Sequence, residues 1–135
     1  MIVIDASVTL AWCLKDEQSD YANAILDRVV NEGAVAPAHW PLEVANGLLV
    51  AERRGRIAAS VVDDIGRTLD ALAIDIRPVE FSTAFWGALQ SAREYNLSEY
   101  DAAYLDLSQV RELPLATIDA KLRAAAEKSG IEIAS

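Results

Sequence analysis

The feature that most constrains the fold is a series of short apolar runs separated by helix-length amphipathic segments. The first run, Ile2-Val3-Ile4, has no polar alternation, which is typical of a strand buried on both faces. Further strand candidates lie at residues 34–37, 74–79, 115–117 and 131–133. Helical patterns cover residues 8–15, 19–32, 40–54, 58–72, 82–95, 99–111 and 120–129. Strands joined by helical crossovers predict an α/β fold, with a short parallel sheet of about five strands and about seven helices in an α/β/α sandwich.

The length and composition indicate one globular domain over residues 1–135. Hydrophobic residues make up 53% of the chain, which supplies a packed core and argues against disorder. The single cysteine, Cys13, has no partner for an internal disulfide, so we expect a reduced, cytoplasmic compartment. No uncharged apolar stretch approaches the ~20 residues that a membrane span needs, and the first residues lack a basic signal-peptide region. We therefore expect no membrane association.

The charge balance excludes one class of function. Twelve basic and twenty-one acidic residues give a net charge of −9. A non-specific nucleic-acid binder usually carries a basic stripe, which this chain lacks. Two interpretations of the acidity stay open: it favours solubility, or part of it is a carboxylate cluster for a metal ion.

Two acidic residues follow predicted strands. Asp5 ends the first strand, and Asp119 comes shortly after the strand at 115–117. Open parallel sheets place functional sites at the carboxyl ends of their strands. Both residues also have an ordinary interpretation, because aspartate is a common helix N-cap.

Two further acids lie in predicted first turns of helices. Glu43 follows Pro41 among apolar neighbours, and an acid there also interacts favourably with the helix dipole. Asp101 is the last residue of a Ser98-Glu99-Tyr100-Asp101 segment, which matches a capping box. Each position alone is weak evidence for a functional site, but the four together are stronger evidence. Clustered carboxylates repel one another unless a hard cation such as Mg²⁺ or Mn²⁺ binds them, and a phosphodiester is the usual substrate of such sites.

Five segments, in order along the whole chain, resemble the PIN-domain ribonucleases and specifically the VapC toxins of toxin–antitoxin pairs. They read VIDASV at 3–8, PAHWPLEVANGL at 37–48, RRGRI at 53–57, LSEYDAAYLDL at 97–107 and LATIDAKLRAAA at 115–126. The chain departs from these relatives at Asn96, where they often have glycine, but asparagine also tolerates the left-handed conformation. The resemblance implies a single PIN domain with a metal site. Its catalytic and metal-binding residues are Asp5, Glu43, Asp101 and Asp119, with Ser7 and Thr117 in supporting positions.

The resemblance also implies an activity and partners. The expected activity is Mg²⁺- or Mn²⁺-dependent endonucleolytic hydrolysis of RNA, leaving a 5′-phosphate and a 3′-hydroxyl. The expected partners are an RNA substrate, a cognate VapB-like antitoxin and a second copy of the chain. Aromatic residues offered as contacts between the copies are Trp12, Trp40, Trp86, Tyr95 and Tyr100, although at least two of the tryptophans are expected in the core.

The expected antitoxin site is a groove beside the carboxylates. Its walls are predicted from the apolar helices at 8–15 and 40–51, although the same side chains also suit the core. An antitoxin guanidinium would compete there with metal for the acidic cluster. The candidate wall residues are Leu10, Trp12, Leu14, Leu48 and Leu49.

Three points stay open in the sequence. A PIN-like interaction module without catalysis is the main alternative to an enzyme. A phosphoacceptor receiver domain also has acids at strand ends, but Asp5 lacks the acidic neighbour and the chain lacks the strand-end lysine that a receiver needs. Arginines 53, 54 and 56 are interpreted as cations at a helix end rather than contacts to RNA phosphate.

Overall fold

The computed structural model describes residues 1–135, and its centre is a fully parallel four-stranded sheet. The strands are β1 (Ile2–Ile4), β2 (Ala34–Pro37), β3 (Asp75–Arg77) and β4 (Leu115–Ala116), in the order β3-β2-β1-β4. The predicted α/β fold with a parallel sheet is confirmed.

The fifth predicted strand, at 131–133, is reduced to a single parallel bridge between Leu115 and Ile133. The bridge consists of two hydrogen bonds on either side of Leu115, from its N–H to Glu132 and from the N–H of Ala134 to its carbonyl. Because β4 is only two residues long, it offers no further ladder for a longer strand to pair with.

Seven α-helices alternate with the strands, as predicted. They are α1 (Ala6–Cys13), α2 (Asp20–Glu32), α3 (Trp40–Arg53), α4 (Ala59–Ala71), α5 (Ala88–Tyr95), α6 (Glu99–Arg111) and α7 (Ala120–Lys128). None of them is long and apolar enough to span a membrane.

The ends of two helical segments differ from the sequence prediction. Helix α1 begins two residues early because Asp5 caps it, and it gives way at Leu14 to a short 3₁₀ turn. A π-helical turn, Thr83–Gly87, precedes α5 within the segment predicted as one helix. That segment ends as expected, with Asn96 in the left-handed region at φ 54°.

The sheet is covered on both faces. All three residues of β1 are completely buried, and neighbouring strand residues point to opposite faces. Helix α6 packs across β1, β2 and β4 with α5 and α7 beside it, while α1 packs on α2 and α3. Trp40 belongs to this core and donates from Nε1 to Thr9 Oγ1 at 3.1 Å. Trp12 is half-buried, so Trp86 is the one tryptophan that is mainly exposed.

Helix α4 lies outside the core. It is amphipathic, but none of its residues is buried, and Val62, Ile65 and Leu69 are only partly covered. Between α4 and α3 lies an apolar cleft of about 580 Å³. Basic residues mark the nearby end of α3: Arg53 is in its last turn, and Arg56 pairs with Asp16 at 2.7 Å.

Candidate active site

Asp5 is the best-buried carboxylate of the chain, with 3% of its surface exposed. It follows β1 directly and caps α1, because its Oδ1 accepts a hydrogen bond from the N–H of Val8 at 3.0 Å. The hydroxyl of Ser7 lies 2.7 Å from Oδ1, and that of Thr117 donates to Oδ2. Ser7 and Thr117, the two predicted supporting residues, therefore both contact Asp5. The N-cap interpretation of Asp5 is correct.

The burial of Asp5 conflicts with its charge. Removal from water raises the pKa of its carboxyl from 3.8 to about 6, because burial outweighs the hydrogen bonds from Thr117, Val8 and Ser7. The charge of Asp101 raises this pKa further. No basic side chain forms an ion pair with Asp5, so the protein itself supplies only dipoles to an ionised group. Such a carboxylate is stabilised by a bound cation.

The loop after β4 completes the surroundings of Asp5. Thr117 Oγ1 accepts a hydrogen bond from the N–H of Asp119, and Ser7 Oγ accepts one from Ile118, each at 3.1 Å. Asp119 caps α7 through the N–H of Lys121 at 3.2 Å, as its ordinary interpretation predicts. The carboxyl ends of β1 and β4 are thereby joined side by side.

Glu43 is held from two directions. It lies in the first turn of α3, and its Oε1 accepts a hydrogen bond from the hydroxyl of Tyr104 on α6 at 2.9 Å. The Nε2 of His39 lies 2.9 Å from the same oxygen. Burial and the nearby charge of Glu43 raise the pKa of Tyr104 far above its usual range, so its hydroxyl stays protonated and donates.

His39 and Tyr104 are the site residues that the sequence prediction missed. His39 lies at the N-cap of α3, and its ring also contacts Glu43. The i, i+4 spacing of a histidine and a glutamate is a signal for that contact. Tyr104 gives no local signal, because its partner Glu43 is distant in sequence.

Asp101 connects the four acids electrostatically. It is half-buried in the first turn of α6, where Ser98 Oγ accepts a hydrogen bond from its N–H at 3.1 Å, as the capping pattern predicts. Burial raises the pKa of Asp101, and the charges of Asp119 and Glu43 raise it further. Because Asp101 also raises the pKa of Asp5, all four predicted carboxylates lie within one electrostatic neighbourhood.

The side chains themselves do not converge to a closed metal cage. No group of three or more His, Cys, Asp or Glu side chains is close enough to hold a metal ion unaided. The donor chemistry nevertheless fits a hard divalent cation, since all four groups are carboxylates. Mg²⁺ is bound by one or two protein carboxylates with waters and substrate phosphate completing its shell, so it needs no closed cage.

Comparisons with known proteins agree with this fold. The sequence matches the PIN domain family over residues 2–132. It is 31% identical over 122 residues to a VapC ribonuclease of Mycobacterium bovis and to Ribonuclease VapC9 of Mycobacterium tuberculosis, covering 90% of this chain and 88% of each relative. Two crystal structures share the fold. PAE2754 of Pyrobaculum aerophilum is 21% identical, with a TM-score of 0.72, and covers 92% of this chain and 78% of its own. FitAcB of Neisseria gonorrhoeae is 15% identical, with a TM-score of 0.67, and covers 100% of this chain and 97% of its own.

The raised pKa of Asp5 predicts a pH-dependent loss of folding stability in the metal-free protein. The carboxyl is neutral in the folded and unfolded states below pH 3.8 and ionised in both above about 6. Its favourable contribution to folding is therefore complete in acid and lost as the pH rises towards 6. We expect Asp5→Asn to gain about 3 kcal/mol relative to the wild type between pH 4 and pH 7, at about 1.4 kcal/mol for each pKa unit.

Denaturant titrations in EDTA at the two pH values measure this difference. The matched control is Asp63→Asn, which removes an exposed carboxylate on α4 and should leave the pH dependence unchanged. An identical pH dependence in the wild type and Asp5→Asn would contradict the conflict between burial and charge.

Proposed function

Because the chain belongs to the PIN domain family and, within it, to the VapC ribonucleases, we propose that it is a divalent-metal-dependent endoribonuclease and the toxin of a toxin–antitoxin pair. The observation that carries the proposal is the coupling of four carboxylates through Asp101, around an Asp5 that is buried without a cationic partner. The curated relatives bear the name ribonuclease, which makes RNA the substrate class proposed here. This family membership also removes the receiver-domain alternative.

The four acids would hold one or two Mg²⁺ or Mn²⁺ ions. Such an ion supplies charge neutralisation at the scissile phosphate and lowers the pKa of water. The chain's own residues have two tasks. Ser7, in the first turn of α1, and Thr117, in the loop after β4, orient the Asp5 carboxylate by hydrogen bonds. Burial beneath the sheet edge excludes water from Asp5 and strengthens its attraction to a cation.

The first prediction concerns cleavage. We expect RNA hydrolysis by the purified chain in Mg²⁺ or Mn²⁺ and none in EDTA. Asp5→Ala and Asp101→Asn should each lower the rate at least about 100-fold, since even groups that only support metal ligands contribute 10- to 100-fold. Labelled oligonucleotides with identified end groups measure both the rate and the 5′-phosphate product.

The matched control is Asp63→Asn, because it changes net charge equally at a solvated position on α4. Equal cleavage in Mg²⁺, in EDTA and by Asp5→Ala would contradict the enzyme. Metal binding with no cleavage of any RNA would favour the alternative of a non-catalytic PIN-like interaction module.

We revise the predicted antitoxin groove. Of its candidate wall residues, Leu14 lies in the core and Leu10 packs against Gly47 at the contact of α1 with α3, whereas Leu48 and Leu49 line an open cleft. The accessible apolar cleft instead lies between α3 and α4. Its apolar lining includes Trp40, Val44, Leu49, Leu69 and Ile74.

We place the C-terminal segment of the cognate antitoxin in this cleft between α3 and α4. Trp40 and Pro41 line one part of it, next to the turn of α3 that carries Glu43. A bound apolar segment thus passes close enough for a following basic side chain to reach the carboxylates. A guanidinium there forms bidentate pairs with carboxylates and displaces metal from them.

Competition between antitoxin and metal is therefore expected. The affinity of the antitoxin segment should fall as Mg²⁺ or Mn²⁺ rises, and replacing its inserted arginine by alanine should weaken binding and remove the dependence on metal. Fluorescence anisotropy of a labelled segment measures both effects. An affinity independent of metal would show that the antitoxin covers the path of the RNA instead.

We propose that the chain forms a homodimer through an exposed aromatic patch, defined as Phe81, Phe85 and Trp86. Phe81 and Phe85 stack at 5.3 Å between ring centroids, and Phe85 meets Trp86 edge-on at 4.7 Å. Phe81 is 73% exposed and Trp86 62% exposed, so large apolar surface faces solvent in the single chain. Clustered exposed aromatics are typical of protein interfaces. Of the aromatic contacts predicted from the sequence, Trp86 belongs to this patch and Trp40 to the core.

Trp86→Glu should weaken the dimer at least about 30-fold, the effect of a hot-spot residue at an interface. Light scattering at micromolar concentration measures the change. The control Val30→Glu introduces the same charge at an exposed apolar position on α2 and should leave the dimer intact. A monomeric wild type, or a Trp86→Glu variant that dimerises normally, would contradict the proposed patch.

A further inference from the structure

We propose that Tyr104 and His39 are positioning residues that together fix Glu43 for cation binding, an inference that rests on the proposed metal-dependent function. The two side chains reach Glu43 from different elements, and both reach the same oxygen. Tyr104 donates to Oε1 from α6, and His39 lies against Oε1 from the start of α3, each at 2.9 Å. We call these two side chains the Glu43 clamp.

Tyr104 connects the two helices that carry the half-exposed acids. It follows Asp101 by three residues, so both lie on the same side of α6, one turn apart. Its side chain is 1% exposed and packed in the core, so its hydroxyl has a fixed position. A hydrogen bond from that hydroxyl to Glu43 therefore sets the distance between Glu43 and Asp101, although they belong to different helices.

His39 makes a second close contact with the same oxygen. Its Nε2 lies 2.9 Å from Glu43 Oε1 and 3.0 Å from the carbonyl oxygen of Tyr100. Both neighbours are acceptors, so this nitrogen carries a hydrogen, which it donates to the carbonyl of Tyr100 while lying against Glu43 Oε1. The imidazole also packs edge-on against the ring of Tyr104, with centroids 4.9 Å apart. Each member of the clamp thus holds the other as well as Glu43.

The clamp leaves the two Glu43 oxygens unequal. Oε1 accepts the hydrogen bond of Tyr104 and lies against His39, whereas Oε2 accepts no hydrogen bond from the chain and is the oxygen available to a cation. Glutamate has three rotatable side-chain bonds, and holding them in one geometry before binding lowers the entropic cost of capturing the ion. Partners that orient a ligand in this way typically contribute 10- to 100-fold to metal affinity.

The decisive variant is Tyr104→Phe, which removes the hydroxyl and keeps the ring in the core. Mn²⁺ binding to the antitoxin-free chain, measured by electron paramagnetic resonance, should weaken about 10- to 100-fold. RNA cleavage should fall at moderate Mn²⁺ and recover at high Mn²⁺, because the lost quantity is affinity. Tyr95→Phe is the matched control, since Tyr95 also packs partly in the core but lies at the end of α5.

His39 is tested by a pair of variants. His39→Ala removes the donor and should also weaken Mn²⁺ binding, while His39→Gln keeps an N–H within reach of Glu43 and should restore part of the affinity. Thermal unfolding in EDTA separates this role from a purely structural one. A structural role lowers the melting temperature of Tyr104→Phe without shifting the Mn²⁺ dependence of cleavage.

The possible failures are distinguishable. A wild type that cleaves RNA with Mn²⁺, together with a Tyr104→Phe variant of equal Mn²⁺ affinity, would overturn the clamp and leave the proposed function standing. A wild type that neither binds Mn²⁺ nor cleaves RNA would overturn the proposed function, and the clamp with it.

Discussion

The burial of the Asp5 carboxylate is the interaction on which the rest of the structure depends. This one side chain caps α1 through Val8 and binds the hydroxyls of Ser7 and Thr117. It thereby joins the end of β1 to the end of β4 and orients the start of α1 at the same time. Buried polar groups with all their hydrogen bonds satisfied specify a unique arrangement, and here that arrangement is the edge of the sheet where the acids gather. A neutral residue of the same shape would relieve the electrostatic cost of burying a charge. It would also remove the negative charge that attracts a cation to this edge.

The other acids differ in their degree of exposure and in what restrains them. Asp101 is half-buried: burial and the charges of Asp119 and Glu43 raise its pKa, and its own charge raises the pKa of Asp5. Glu43 is more accessible, and neighbouring side chains restrain it instead of burial. Functional sites commonly contain the local conflicts that the rest of a fold avoids. In this chain four acids gather at one edge of the sheet, while β1, β2 and β4 beneath it are entirely apolar and buried.

The sequence predicts the fold well and singles out the four acids as candidates, because both depend on local pattern. Buried strands such as Ile2–Ile4 are recognisable as unbroken apolar runs, and the acids stand directly at strand ends or in helix first turns. It predicts poorly what depends on contacts between distant segments. The strand at 131–133 looks apolar enough, but pairing length is decided by its neighbour β4. Among the predicted groove walls, Leu14 lies in the core, while Leu48 belongs to the core and also lines the cleft, because apolar residues on a helix do not reveal which of them face the core. The contact of Tyr104 with Glu43 was missed for the same reason, since no residue near Tyr104 in the sequence indicates it.

The marginal packing of α4 has a consequence for the lifetime of the free chain. A helix with no buried residue loses little when it detaches, so we expect α4 to open at a low free-energy cost. Proteases act on such transiently opened segments, in proportion to how often they open. A ligand that covers the apolar side of α4 adds its binding energy to the closed form and slows that cleavage. The resistance of α4 to proteolysis then depends on the bound ligand rather than on the protein core.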